Sequence, residues 1–252
     1  MKQLSDYLGQ KIKGKRIVIT GGTTGIGKAT ADLLAALGGH VLIFGRDPED
    51  FEKAVADIKQ QFPDAVLYGT PADVTKKEDI DKIMAITDQS LGGIDILINN
   101  AALAAPGVTE CSYEDFKYIV DANVMGYIAF AQEAAKRMSA QKSGHIINIG
   151  SMSAESREKT STVYVATKSA IRGFSTSLRK ELNPMGIKVS LIEPGAVTSN
   201  MQPGNREEHE KKIEKLEMLE AEDIAMSILF CLSQPKRCDI VSMQIRPHQQ
   251  FI

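Results

Sequence analysis

Cysteine is scarce in this chain of 252 residues. The three present, Cys111, Cys231 and Cys238, are odd in number, scattered and without clustered histidines. A disulfide framework is thereby excluded, and with no metal-ligand spacing no metal site is expected. An excess of positive charge is also missing: 30 Lys and Arg stand against 32 Asp and Glu, a net charge of -2. The chain has no electrostatic footprint for a polyanion, so nucleic acid is not an expected partner and small molecules are. No segment approaches the ~18 consecutive apolar residues that a membrane span needs. The first residues, Met1-Lys2-Gln3-Leu4-Ser5-Asp6, contain no apolar run of signal-peptide length. No membrane partner is expected, and the expected location is the cytoplasm. Internal repeats, low-complexity tracts and interdomain linkers are absent as well.

What is present is a rhythm. With 43% hydrophobic and 25% charged residues, the chain suits one α/β domain over 1–252, with 1–14 as an N-terminal extension. Short β-branched runs alternate with helix-period segments, which predicts a doubly wound parallel sheet, a Rossmann domain of about seven strands with helices on both faces. The strands are expected at 16–20, 40–44, 65–68, 94–98, 145–149, 187–192 and 240–245. Ile26, Ala29, Leu33, Leu34 and Leu37 recur at helical spacing before Gly38-Gly39. A second helix, 163–182, carries Val163, Ala166, Ala170, Phe174, Leu178 and Leu182 on one expected stripe, with Ser161 or Thr162 as its cap. The stretch of about 196–220 breaks the rhythm. Its charged run, Asn205 to Lys212, reads either as a solvated surface helix or as a lid over a substrate cleft.

Three features carry chemistry. Thr20-Gly21-Gly22-Thr23-Thr24-Gly25-Ile26-Gly27 lies between the first strand and the first helix, where free backbone N–H groups and the helix dipole hold a pyrophosphate. Gly21 and Gly25, with Thr23, Thr24 and Ile26 between and beside them, are the candidate phosphate residues. About 20 residues on, where an acid would take the ribose hydroxyls of NAD, the chain has Gly45 followed by Arg46. A guanidinium beside an open glycine suits a 2′-phosphate and favours NADP, while Asp47 keeps NAD in play. Finally, Tyr164 and Lys168 stand four apart on one helix face, with Ser151 thirteen positions before Tyr164. A nearby cation favours a phenolate and brings proton exchange toward neutral pH, so Tyr164 is the candidate acid and base and Ser151, with Ser153 as its rival, the donor to a carbonyl oxygen. Each of these residues taken singly has a plain alternative as core, surface or turn.

Taken in order, these motifs resemble the short-chain dehydrogenase/reductase family, short-form branch, from residue 15 to about residue 199. The glycine turn is similar to the family's cofactor turn, Asp73-Val74 to its adenine contact and Asn99-Asn100-Ala101 to its motif after the fourth strand. Asn123, Ser151, Tyr164 and Lys168 match its catalytic tetrad. Pro194 and Gly195 match the segment that meets the nicotinamide, and Val197 and Ser199 fall at its carboxamide and phosphate contacts. The resemblance implies hydride transfer between NAD(P) and a carbonyl or secondary alcohol, with Lys168 also holding the nicotinamide ribose and Asn123 kinking its helix to position a water behind Lys168. It further implies a homodimer or homotetramer. Ala102 stands where the family has glycine and Ser199 where it has threonine, and the C-terminal strand lacks the common Asp-Gly-Gly ending. A small polar carbonyl or hydroxyl compound is the expected substrate. The rival readings are an epimerase or dehydratase that returns the hydride, for which the chain lacks a separate substrate lobe, and a coenzyme-binding sensor or scaffold without catalysis, which would not need both Tyr164 and Lys168.

Overall fold

The computed structural model describes residues 10–199, 201, 202 and 204–250. Most of the expected N-terminal extension and the last two residues of the tail lie outside them. One parallel sheet runs in the order β3-β2-β1-β4-β5-β6-β7. Its strands are β1 (Arg16–Thr20), β2 (His40–Phe44), β3 (Leu67–Gly69), β4 (Ile96–Asn99), β5 (Gly144–Ile149), β6 (Ile187–Pro194) and β7 (Ser242–Ile245). Helices α1 (Gly25–Ala36), α2 (Pro48–Gln61), α3 (Lys77–Ile86), α4 (Tyr113–Val120), α5 (Gly126–Gln141), α6 (Thr162–Leu182), α7 (Arg206–Glu214) and α8 (Ala221–Ser233) connect them. This is a doubly wound Rossmann fold, as the alternation of runs implies.

Period-2 alternation explains the two layers. Along β1, Ile17 and Ile19 face a core shared with Ala31 and Leu34 of α1, Ile58 of α2 and Ile224 and Ile228 of α8. Val18 points the other way, into a core with Ile83 of α3, Phe130 and Met138 of α5 and Leu178 of α6. Both faces are apolar because both are covered, which is why the strands read as continuous hydrophobic runs. Phe44 and Phe130 stack with ring centroids 5.1 Å apart.

The expected boundaries moved where side chains intervene. β4 begins at Ile96, two residues late, since Asp95 bends to accept hydrogen bonds from Arg16 Nε at 3.0 Å and Nη2 at 2.8 Å. β3 is shorter and later than 65–68, and β7 starts at Ser242 rather than at 240. α1 ends one residue before the apolar pattern does, because Gly38 turns the chain at φ +77°. α6 is rotated from its expected stripe: its buried residues are Thr167, Lys168, Ile171, Ser175, Leu178 and Leu182, while Ala166 and Ala170 are exposed. Counting alanine as apolar pulled the expected face about one residue round, and Lys168 lies on the core side. Among the described residues no helix is long and apolar enough to cross a membrane.

A titrating group far from the cleft sets acid stability. His145 in β5 is buried, with Nε2 2.9 Å from Ser190 Oγ. Desolvation, helped by Lys188 and opposed by Asp239, lowers its pKa from 6.5 to about 4. A folded pKa below the unfolded one means that the unfolded chain binds the proton first. Stability is therefore full above pH 6.5 and falls as the pH drops toward 4, by about 3 kcal/mol in all. Urea titrations across that window are expected to lose this slope in His145→Asn; an unchanged slope would assign acid sensitivity elsewhere.

Candidate active site

Strand order reverses between β1 and β4, so their carboxyl ends diverge and leave a crevice. A cleft of about 430 Å³ opens there, lined among others by Gly21, Thr23, Thr24, Gly25, Ile26, Gly45, Arg46, Asp73, Val74, Asn100, Ala101 and Ser199. Sequence reasoning had singled out all twelve of these. The same wall includes Asp47, which the sequence offered as the acid for NAD, and Phe44, Ala72, Leu103, Tyr118, Ala122 and Met201, which it did not mark as coenzyme contacts. They come from strand ends, α4 and loops whose meeting no local spacing announces.

The glycine turn is built to let a ligand approach the backbone. Gly21 and Gly25 have φ of +63° and +51°, a region other residues enter at a cost. A side chain on Gly27 would come within 2.0 Å of Gly21 O, so only glycine lets the α1 N-terminus sit against the turn. Asn100 closes the cradle: its Nδ2 donates to Thr20 O at 3.1 Å and Gly21 O at 3.0 Å. Thr20 Oγ1 in turn accepts from the Asn100 and Ala101 amides, both at 2.9 Å. Gly25 and Ile26 of the first turn of α1 line the cleft, and Ser199 Cβ lies 3.4 Å from where a Gly25 Cβ would stand. The constellation fits a pyrophosphate held by backbone amides and a helix dipole.

At the far end, β2 delivers Gly45 against Thr23. A Cβ on residue 45 would meet Thr23 Oγ1 at 2.4 Å, so a side chain there would first have to turn the Thr23 side chain aside. Asp47 is committed elsewhere, its Oδ1 accepting the Glu49 and Asp50 amides at 2.9 and 3.1 Å as the cap of α2. Arg46 is exposed at the cleft rim and donates from Nη1 to Tyr118 OH at 3.1 Å. Ala102 lines the cleft without a positive φ, so the extra methyl is accommodated on ordinary backbone.

The proton-handling groups lie beyond this cleft's lining, and so do Pro194, Gly195 and Val197. Two backbone links join the regions. Asn123 sits in a π-helical turn, Asp121–Met125, between α4 and α5. Its Oδ1 accepts the Leu103 amide at 2.7 Å and its Nδ2 donates to Leu103 O at 2.8 Å and Thr167 Oγ1 at 3.3 Å. One buried amide thus pins the loop after β4 to α6. At the end of β6, Pro194 O accepts the Met152 amide at 2.9 Å, next to Ser151. Gly195 and Ala196 are held by the chain's own tail, through Ile245 O at 2.7 Å and Gln250 Oε1 at 3.0 Å. Val197 is buried and bridged to Leu219.

Ser151, Tyr164 and Lys168 do converge. Ser151 lies near enough to the Tyr164 phenol to lower its pKa, and Ser151 Oγ accepts the Ser153 amide at 3.1 Å. Lys168 is 2% exposed, its Nζ 5.6 Å from the Tyr164 ring centroid. It donates to Ile149 O at 2.9 Å and to Tyr127 OH at 3.5 Å. Tyr127, which the sequence reading did not flag, donates to the same Ile149 carbonyl at 3.0 Å. Desolvation, with no carboxylate to offset it, lowers Lys168 from 10.5 to about 7. Tyr164 departs from the sequence expectation: desolvation pushes it up to about 12, with nearby Ser151 lowering it and Glu158 adding to the rise. On the residues of this chain alone, then, the phenol is a weaker acid than the Tyr-Lys spacing implied, since Lys168 is itself driven toward neutrality.

Of the charges before α6, Glu155 is turned to other elements, accepting from Arg172 Nη2 at 3.1 Å and Gln244 Nε2 at 2.6 Å. α7 has no buried residue and carries Arg206–Glu210 and Lys211–Glu207 pairs at 2.9 and 2.7 Å. No group of three or more His, Cys, Asp or Glu side chains among the described residues is placed to share a metal ion.

Comparison with known proteins bears on what such a site does. Residues 15–210 match the family model for short chain dehydrogenases. An uncharacterized oxidoreductase of Staphylococcus aureus strain USA300 is 36% identical over 234 residues, covering 92% of this chain and 97% of the relative. A metagenomic short-chain oxidoreductase in complex with NADP superposes with a TM-score of 0.81 at 24% identity, over 95% of this chain and 100% of that one. A 3-ketoacyl-(acyl-carrier-protein) reductase from Brucella melitensis complexed with NADH gives 0.83 at 23% identity, over 94% and 99%.

Proposed function

We propose that this protein, which belongs to the short chain dehydrogenase family and is an oxidoreductase, transfers hydride between NADP(H) and the carbonyl or secondary alcohol of a small molecule. The observation that carries the reading is the convergence of Ser151, Tyr164 and Lys168 on one buried point, joined through Asn123 and Leu103 to a glycine cradle shaped for a dinucleotide.

A bound nicotinamide coenzyme supplies the hydride and, when oxidised, a positive charge beside the phenol. The residues of the chain do the rest. Tyr164 gives its proton to the carbonyl oxygen as negative charge develops there, and takes one back in the reverse direction. Ser151 donates a second hydrogen bond to that oxygen, most useful where its geometry suits the transition state. Lys168, held on Ile149 O, has a pKa near 7 that lets it load and release a proton at neutral pH behind the phenol. When charged it favours the phenolate across the 5.6 Å that separates it from the ring centre. Asn123 positions the loop at Leu103 rather than touching substrate. Leu103, Met152 and Met201 give the substrate end apolar walls, and the paired charges around Glu155 leave room for a small carbonyl or hydroxyl compound.

NADP is favoured over NAD by the lack of an acid at Gly45, by Asp47 serving as a helix cap, and by the Arg46 guanidinium at the cleft rim. Arg46→Ala is expected to raise KM for NADPH about tenfold or more and to leave KM for NADH nearly unchanged. Equal effects on the two coenzymes would contradict the preference. A panel of small ketones and aldehydes, read by loss of NADPH absorbance, tests the reaction class. Stoichiometric binding without consumption would favour a sensor instead.

The same reading includes a homodimer or homotetramer. Exposed Val120, Met125 and Ile128 on and beside α4 and α5, and Met226, Phe230 and Val241 near β7, are apolar surface of the kind that subunit contacts bury. The segment of about 196–220 acts in it as a lid, with Met201 at the cleft and α7 on the solvent side.

A further inference from the structure

Among the described residues the Arg46 guanidinium hydrogen-bonds one side chain, and that partner is unusual. Tyr118 projects from α4 into the adenosine end of the cleft, accepts from Arg46 Nη1 at 3.1 Å and donates to Asp73 Oδ2 at 2.8 Å. Asp73 is itself fixed, its Oδ1 accepting the Thr75 amide at 2.9 Å and the Thr75 hydroxyl at 2.8 Å, while its own amide donates to Asp79 Oδ2 at 2.9 Å. Every proton in this chain has one possible place. An ionised carboxylate only accepts and a guanidinium only donates, so the phenol must give its hydrogen to Asp73 and turn a lone pair to Arg46. The net effect of the surroundings keeps these states: Asp73 is held below the usual carboxylate range, where hydrogen bonds from Thr75 and Tyr118 outweigh desolvation, and Tyr118 is pushed up by desolvation. The guanidinium carbon also lies 5.9 Å from the Tyr118 ring centroid, within reach of a cation–π contact. Among the described residues only Nη1 is engaged, which leaves the other donors of the fork available to a ligand.

We propose that Tyr118 is a positioning residue for coenzyme choice: it anchors Arg46 through a relay to Asp73, so that the guanidinium meets a 2′-phosphate already ordered. The inference rests on the NADP reading above and deepens it. A free arginine on an exposed turn would lose side-chain entropy on each binding event; an arginine tethered at one nitrogen loses less. The relay also sets the balance of charge. Asp73 draws the cation toward the adenine side without neutralising it by direct contact, since the phenol stands between them.

Calorimetric titration with adenosine 2′,5′-bisphosphate and adenosine 5′-monophosphate tests this directly, with KM values for NADPH and NADH alongside. Tyr118→Phe keeps the ring and removes the relay. It is expected to weaken the bisphosphate about tenfold, the size of one hydrogen bond to a charged group, and to leave the monophosphate within about twofold. KM for NADPH should follow the bisphosphate, with kcat unchanged. In an Arg46→Ala background the Tyr118→Phe change should add nothing, because the phenol acts through the guanidinium. Equal weakening of both ligands, or effects that add in the double variant, would overturn the proposal while leaving the NADP reading intact. If the native protein binds the two nucleotides equally and Arg46→Ala alters neither, the NADP reading itself fails, and this inference with it.

Discussion

Tyr164→Phe is expected to bind NADPH as tightly as the native chain and to lose roughly a thousandfold in kcat, the size of a general acid's contribution. The expectation follows from what the oxygen touches. The phenol is the titratable group beside Ser151, and Lys168 stands by its ring, so deleting one oxygen removes the proton donor while the ring still fills its place on α6. The proposed coenzyme cleft, lined by Gly21, Gly25, Asn100 and Arg46, does not include Tyr164, so the substitution leaves it alone. Single-turnover rates with saturating NADPH, paired with calorimetric titration, separate the two quantities. A kcat within tenfold of the native value would remove Tyr164 from the mechanism and give the proton to another group.

Lys168→Met is expected to abolish turnover and at the same time to make the protein more stable, by roughly 1–3 kcal/mol near neutral pH. Burial has lowered this lysine from 10.5 to about 7, and its polar contacts are a carbonyl and a phenol, not a carboxylate. The folded pKa lies below the unfolded one, so between those two values the unfolded chain holds the extra proton and stability rises with pH. Methionine has similar length and no charge, so it keeps the packing and removes the penalty, leaving Ile149 O with the Tyr127 hydroxyl alone. Urea midpoints measured from pH 7 to about 9.5 should climb in the native protein and run flatter in the variant. A variant that is less stable at every pH would mean that the ammonium is compensated by its surroundings and that burial is not its main perturbation.

These two outcomes bear on what the sequence could and could not reveal. The sheet was legible because strands covered on both faces must be apolar throughout, as in Ile17-Val18-Ile19 and Val41-Leu42-Ile43, and because Gly38 and Gly39 punctuate the first unit. The cradle was legible because its constraint is local: a residue 2.0 Å from a carbonyl has to be glycine. Tyr118 and Tyr127 were not legible. Each acts through partners far along the chain, Tyr118 on Arg46 and Asp73, Tyr127 on Ile149 and Lys168, and neither has a spacing that distinguishes it from a core aromatic. The direction of the Tyr164 shift was misread for a related reason. Spacing along α6 put a cation near a phenol, but only the packed structure reveals that both groups are desolvated and that the cation is the one losing its charge. The same burial rotated the expected stripe of α6, since a lysine on the core side of a helix is not what an apolar periodicity seeks.

The reaction itself can be read from one atom. NADPH carrying deuterium at both C4 positions of the nicotinamide, given to the native protein with a small ketone from the reactive members of the panel, should yield an alcohol with deuterium on its carbinol carbon, one for each coenzyme oxidised. An alcohol free of the label, or coenzyme that is bound and never oxidised by any carbonyl offered, would contradict hydride transfer as the work of this site.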